Sequence, residues 1–169
     1  MTDLTLPEFR PARDDDAQDL FGLLSLCFAD YPGCFVDPHD DLPDLRAPAT
    51  AIAAKGGAFW VAEDARGRVC ACVAADFPEP GVAEMHRLYV RPDQRRKGLA
   101  RRLIAQAEAF AAGQGARRVL LWSDTRFTDA HRLYAGLGYA GGDVTRELGD
   151  ISGSVEFFFE KRLEGEPAA

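Results

Sequence analysis

Leu88-Tyr89-Val90-Arg91-Pro92-Asp93-Gln94-Arg95-Arg96-Lys97-Gly98-Leu99-Ala100 is the stretch on which the fold turns. A strand-like triplet runs into a proline turn and a basic cluster. Beyond it Leu99, Leu103, Ile104, Ala107 and Phe110 recur at helical spacing. Strand, tight basic loop and helix in that order hold a phosphate well. The helix N-terminus offers unpaired backbone N–H groups and the positive end of its dipole, and the flanking cations add charge. Gly98 lets the backbone approach a ligand where a Cβ would stand in the way.

Charge supports a compact anion. The chain carries a formal net charge of -7, yet six cations and one acid fall between Arg91 and Arg102. A nucleic-acid surface needs an extended basic track, so an acidic chain with one small basic loop argues against nucleic acid as a partner. The acidic remainder favours cationic acceptors such as amines.

At 169 residues with 47% hydrophobic composition, the chain suits one globular domain with a substantial core. The expected domain spans residues 1–163, with Glu164 to Ala169 as a frayed tail. Neither an N-terminal targeting pattern nor a bilayer-length apolar run is present, so a cytoplasmic location and no membrane are expected. The cysteines Cys27, Cys34, Cys70 and Cys72 show no zinc spacing, and no metal is expected. Cys70 and Cys72, two apart in a strand, are expected on one face.

Outward from the opening stretch, the pattern predicts strands over Glu8–Arg13, Phe59–Glu63, Val69–Phe77 and Val82–Val90. Asp14-Asp15-Asp16 is expected to cap a helix with a buried stripe at Leu20, Phe21, Leu24 and Phe28. Prolines 32, 38, 43 and 48 break the following segment, leaving room for a short helix over Ala47–Lys55. The helix after the basic loop is predicted over Arg96–Gly113. Val119-Leu120-Leu121-Trp122 reads as a strand buried on both faces, and Asp129–Leu137 as a short helix with Asp129 at its N-cap. Asp143–Leu148 and Val155–Leu163 are expected to form a final antiparallel pair.

This element order, with Arg95-Arg96-Lys97-Gly98-Leu99-Ala100 after the fourth strand and Ala130-His131-Arg132-Leu133-Tyr134-Ala135-Gly136-Leu137-Gly138-Tyr139 downstream, resembles the GNAT superfamily of acetyl-CoA-dependent N-acetyltransferases. The resemblance implies an α/β (α+β) fold: a single domain with a mixed, mostly antiparallel sheet flanked by helices, its central strands splayed. Arg96 stands where many members have glycine, and Ala100 replaces the last glycine. The implied donor is acetyl-CoA, its pyrophosphate held by the loop from Arg95 through Arg96, Lys97, Gly98, Leu99 and Ala100 to Arg101, with Asp129 a further contact. Pantetheine would pair with the main chain of Leu88, Tyr89 and Val90.

Tyr134 is the candidate acid for the leaving thiolate, and Glu84 and His86 are candidate bases for the incoming ammonium, with ordered water as the alternative. Tyr31 and Arg126 are candidate acceptor contacts, Arg126 either for a carboxylate or simply as a partner to an acid. Asp30, Asp37, Asp40, Asp41 and Asp44 hint at a cationic small-molecule acceptor. A protein lysine or N-terminus, and an acyl-CoA-binding role without turnover, are the rival readings. The oligomeric state is left open, a homodimer being one alternative because dimers are common among relatives.

Overall fold

The computed structural model describes residues 6–37 and 42–164. Asp40, Asp41 and nearly all of the expected tail lie outside them. Seven strands and four helices follow in the order β1 (Phe9–Pro11), α1 (Ala17–Phe28), α2 (Pro48–Ala53), β2 (Ala58–Glu63), β3 (Val69–Glu79), β4 (Val82–Val90), α3 (Leu99–Gly113), β5 (Arg118–Asp124), α4 (Thr128–Gly136), β6 (Ala140–Glu147) and β7 (Val155–Arg162). They form one sheet in the order β1-β2-β3-β4-β5-β7-β6. All neighbours are antiparallel except β4 and β5, which run parallel.

The sheet separates two cores. On one face, Leu99, Leu103, Ile104, Ala107 and Ala111 of α3 pack with Tyr134 of α4 against Val73, Met85, Val119 and Leu121. On the other, Leu20, Leu23, Leu24 and Cys27 of α1 pack on Val61, Cys72 and Ala74. Each fully buried Leu or Ile stabilises the fold by roughly 1.5–3 kcal/mol, so the two stripes hold both helices down.

Several expectations change. α3 begins at Leu99 rather than Arg96 because Arg96 (φ +60°) and Gly98 (φ +79°) are left-handed and cannot continue a helix. For a residue with a Cβ, that conformation costs roughly 1–2 kcal/mol, so the arginine departure noted above is a strained one. The acids 14–16 form a 3-10 turn without a side-chain cap on α1. Asp14 instead caps α2, accepting the Thr50 N–H (2.9 Å) and hydroxyl (2.6 Å).

β5 is buried on alternate positions rather than on both faces. Leu120 and Trp122 alternate away from the α3–α4 core, and Trp122 is shielded by the Phe158 ring (5.1 Å) and the Arg146 guanidinium (4.2 Å). Cys70 and Cys72 fall in different cores. A register shift after Ala62↔Ala71 leaves Cys70 as the extra residue of a bulge, which turns its side chain over. All four cysteines are free and buried. The helix after β5 starts at Thr128 with Phe127 at its N-cap, so Asp129 sits in the first turn and pairs with Arg132 (2.9 Å) rather than capping.

Candidate active site

β4 and β5 pair only at Val82↔Arg118, Ala83↔Val119 and Glu84↔Leu120, and part beyond that point. The Arg91 N–H donates to the Cys70 carbonyl (2.8 Å) on β3. Successive backbone groups of a strand face opposite sides, so the Val90 N–H and carbonyl are directed into the gap toward β5. The Val90 carbonyl accepts from Arg95 Nε (2.9 Å) and lies 3.5 Å from the Cys27 thiol. A bulge at Arg87, which has φ +55°, separates Leu88-Tyr89-Val90 from the earlier part of β4. The Arg87 guanidinium is bound by Asp44 at 2.8 and 3.1 Å. Tyr89 packs edge-on to Phe28 (5.7 Å).

The basic loop divides its cations between two jobs. Arg91 is bound to Asp93 (2.6 Å) and Asp64 (2.8 Å) and braces the turn. Arg95 folds inward to Val90 and to Asp30 (2.9 Å). Lys97 reaches Gln94 (3.3 Å) and is not among the residues that line the cleft. Arg96 and Arg101 line the cleft together with Gly98, Leu99 and Ala100. Among the described residues, neither Arg96 nor Arg101 has an ion-pair partner. The first helical bond of α3 runs from Arg102 N–H to the Gly98 carbonyl (3.2 Å), and no side chain caps the end. The N–H groups of Leu99, Ala100 and Arg101 therefore have no partner within the helix, which makes this end an anion site.

Tyr134 enters the same cleft from α4. It is 5% exposed and packs against Tyr139 (5.8 Å) and Phe159 (5.7 Å). Burial raises its phenol above the usual range, which keeps the proton on at neutral pH. His131, one turn earlier, sits 3.1 Å from the Ser123 hydroxyl, and burial lowers its imidazole. Tyr31 lines the cleft and packs on Phe127 (4.7 Å).

At the far end, Glu84 and His86 face the cleft from one side of β4. Asp76, on β3, joins them, and these three bring potential ligand atoms within 4.8 Å of one another, the one such grouping among the described residues. Burial raises the Glu84 carboxyl, opposed by the charge of His86. Arg126 does not reach out for a substrate. Its guanidinium grips Asp124 at 2.9 and 2.7 Å and approaches the Ser152 carbonyl and Ser154 hydroxyl, each at 3.4 Å. Burial alone would push the Asp124 carboxyl up; the bonds and charge of Arg126 outweigh it and hold it below the usual range. Of the acids between α1 and α2, Asp30 and Asp44 are likewise engaged by Arg95 and Arg87.

Asp76 and Asp124 were missed by sequence reasoning. The two-residue turn Pro80-Gly81 points to Phe77, not Asp76, opposite Glu84; a register shift between Asp76 and Glu79 makes the difference. The whole cleft measures about 1300 Å³ and runs continuously from the α3 N-terminus to Glu156 on β7.

Residues 7–139 match the model of the acetyltransferase (GNAT) family, and the chain belongs to that family. It is 32% identical over 97 residues to an uncharacterized N-acetyltransferase of Schizosaccharomyces pombe. That alignment covers 57% of this chain and 60% of the relative, so the chain matches under two thirds of the relative's length. Among solved structures, a GNAT-family acetyltransferase from Staphylococcus aureus aligns with a TM-score of 0.80 at 17% identity, covering 94% of this chain and 100% of that one. A GNAT phosphinothricin acetyltransferase from Sinorhizobium meliloti, solved in complex with acetyl-CoA, aligns at 0.73 and 16% identity over 93% and 88% of the two chains. At that identity the likeness shows the fold. Among the described residues no helix is long and apolar enough to cross a membrane.

Proposed function

We propose that this chain transfers an acetyl group from acetyl-CoA to the primary amine of a small molecule, by direct attack in a ternary complex. One observation carries the reading: the uncapped α3 N-terminus, the β4–β5 gap, the Tyr134 phenol and the Glu84–His86 pair all open into one continuous cleft. The donor fits it. The N–H groups of Leu99 to Arg101 and the guanidinium groups of Arg96 and Arg101 suit a pyrophosphate. The gap beside Leu88 and Val90 offers an open strand edge to an amide-bearing chain such as pantetheine.

Holding amine and thioester together supplies most of the rate gain. The Val90 N–H is directed toward the gap, where it can stabilise charge on the thioester oxygen. Tyr134, kept protonated by burial, is the donor for the departing thiolate. Glu84 and His86 take the proton from the incoming ammonium. Asp129, 72% exposed and paired with Arg132, is a rim contact for the donor at most. At the acceptor end Arg126 and Arg146 are already matched by Asp124 and Glu156, and Asp76 is engaged by Lys55 and His86, which leaves Glu84 to attract a cation.

Release of CoA, measured with acetyl-CoA and a panel of small amines, lysine peptides and N-terminal peptides, tests the reading. Turnover with a small amine and none with peptides is expected. Turnover confined to peptides overturns the acceptor class, and acetyl-CoA binding without CoA release to any amine overturns the enzyme.

A further inference from the structure

We propose that Asp76 is a positioning residue that sets the tautomer of His86, so that a carboxylate–imidazole–carboxylate relay, Asp76–His86–Glu84, takes the proton from the acceptor. The proposal rests on the amine-acetylation reading above and says which atom of the site receives the proton.

The geometry is specific. Asp76 Oδ1 lies 3.1 Å from His86 Nε2, and the Asp76 side chain is only 8% exposed. Its other oxygen is 3.7 Å from the Lys55 ammonium. An ionised carboxylate accepts and cannot donate, so the hydrogen on this bond belongs to Nε2. In the neutral ring Nδ1 then carries the lone pair. Nδ1 is 3.7 Å from Glu84 Oε1, and a third of the imidazole side chain is exposed where the residue lines the cleft. A cleft-lining ring held through Nε2 by a buried carboxylate, with Nδ1 left as its basic nitrogen, is arranged to accept a proton.

Backbone irregularities bring the three together. The register shift near the β3–β4 turn sets Asp76 opposite Glu84. The Arg87 bulge comes one residue after His86, so Glu84 and His86 keep to one face before the strand changes side. Gly57 has no Cβ because one would overlap the Ala75 carbonyl oxygen and press on Asp76 Cβ, which lets the chain from Lys55 to β2 run close beneath the carboxylate.

The same donor types would suit a divalent cation. Here the shortest contact of each carboxylate is to a different nitrogen of the imidazole, 3.1 Å from Asp76 to Nε2 and 3.7 Å from Glu84 to Nδ1, which is the arrangement of a relay. The charged groups around the relay are Lys55 after α2, Asp76 on β3, Glu84 on β4, Arg146 on β6 and Glu156 on β7. Arg146 and Glu156 pair with each other at 2.7 Å.

The step balances without a further reagent. An N–H bond of the acceptor ammonium breaks and its proton passes to Nδ1, giving an imidazolium between two carboxylates. The freed nitrogen lone pair forms the C–N bond at the thioester carbonyl, and the C–S bond breaks with its electrons on sulfur. The thiolate takes the Tyr134 proton, and a second proton, leaving the nitrogen as the amide forms, restores the phenol. His86 returns its proton to solvent.

Two readouts on the full chain test this. In long-range 1H–15N spectra of the three histidines, with His86→Gln identifying the resonance, wild type is expected to show the Nε2–H tautomer, and Asp76→Asn a mixture. In steady-state assays Asp76→Asn is expected to lower kcat about tenfold or more with the acetyl-CoA KM nearly unchanged, and Asp76→Glu to recover about threefold of it. An Nδ1–H tautomer in wild type, or CoA release indifferent to Asp76→Asn, overturns the relay while leaving the acetyltransferase reading intact. An Nε2–H tautomer in a protein that releases CoA with no amine overturns the acetyltransferase reading and, with it, the relay's role.

Discussion

The two ends of the cleft are built differently. The donor end is made of backbone: an open strand edge, a left-handed glycine and an uncapped helix N-terminus. The acceptor end is made of side chains, and most of its charges are already matched within the protein, Arg126 with Asp124, Arg146 with Glu156 and Arg87 with Asp44. On the proposed reading, backbone donors recognise what every acyl-CoA shares, a pyrophosphate and amides. Paired side chains, on the same reading, shape a pocket in which Glu84 is left to select the acceptor. One end is generic and local; the other is particular and assembled from distant parts of the chain.

Substitution can sharpen that contrast. The largest effect is expected at Gly98, where a Cβ would meet open space at φ +79°. Gly98→Asp places an anion in the phosphate cradle. Its acetyl-CoA Kd should rise about 100-fold, about 2.7 kcal/mol, read by titration calorimetry. An unchanged Kd would mean that the donor does not use the helix end.

Tyr134→Phe comes next. With burial holding the proton on, loss of the hydroxyl should lower kcat about tenfold or more. Thermal stability should stay near wild type, since the ring, which packs on Tyr139 and Phe159, is kept. Unchanged turnover removes Tyr134 as the acid.

The smallest effect on catalysis, but a clear one on stability, is expected at Arg126. Arg126→Ala leaves the 8%-exposed Asp124 carboxylate without its partner and should cost about 2 kcal/mol in denaturant unfolding near neutral pH. The native Asp124 carboxyl lies below its unfolded value of roughly 3.9, so this stability is present above that pH and lost as pH falls through the native value. The gap between wild type and variant should therefore close in acid. A gap that is flat with pH would show that the loop, not the ion pair, carries the difference.

The donor end was legible because everything it needs is contiguous. Val82–Val90 matched its predicted strand end to end, and the proline turn, the glycine and the apolar stripe of α3 follow within one short run. The start of α3 was missed by three residues because nothing in an arginine announces a left-handed φ. At the acceptor end the residue types were visible but not their partners. Arg126 is adjacent in sequence to the strand that supplies Asp124, yet whether it holds a substrate or an acid depends on a carboxylate that turns back toward it. Asp76 was invisible because one register shift decides what stands opposite Glu84.

By itself, the sequence determined the order of elements, the placement of the basic loop at the start of α3 and the family, because periodicity, proline, glycine and local charge act over a few residues. Tertiary structure alone decided which side chains meet. The bulges at Cys70 and Arg87 and the shift beside Asp76 re-aim whole runs of side chains, and Arg146 meets Glu156 only when β6 lies against β7, as Arg87 meets Asp44 only when β4 lies against the segment before α2. Pairing across a sheet depends on register, and a strand's side-chain period of two makes a one-residue slip enough to reverse it.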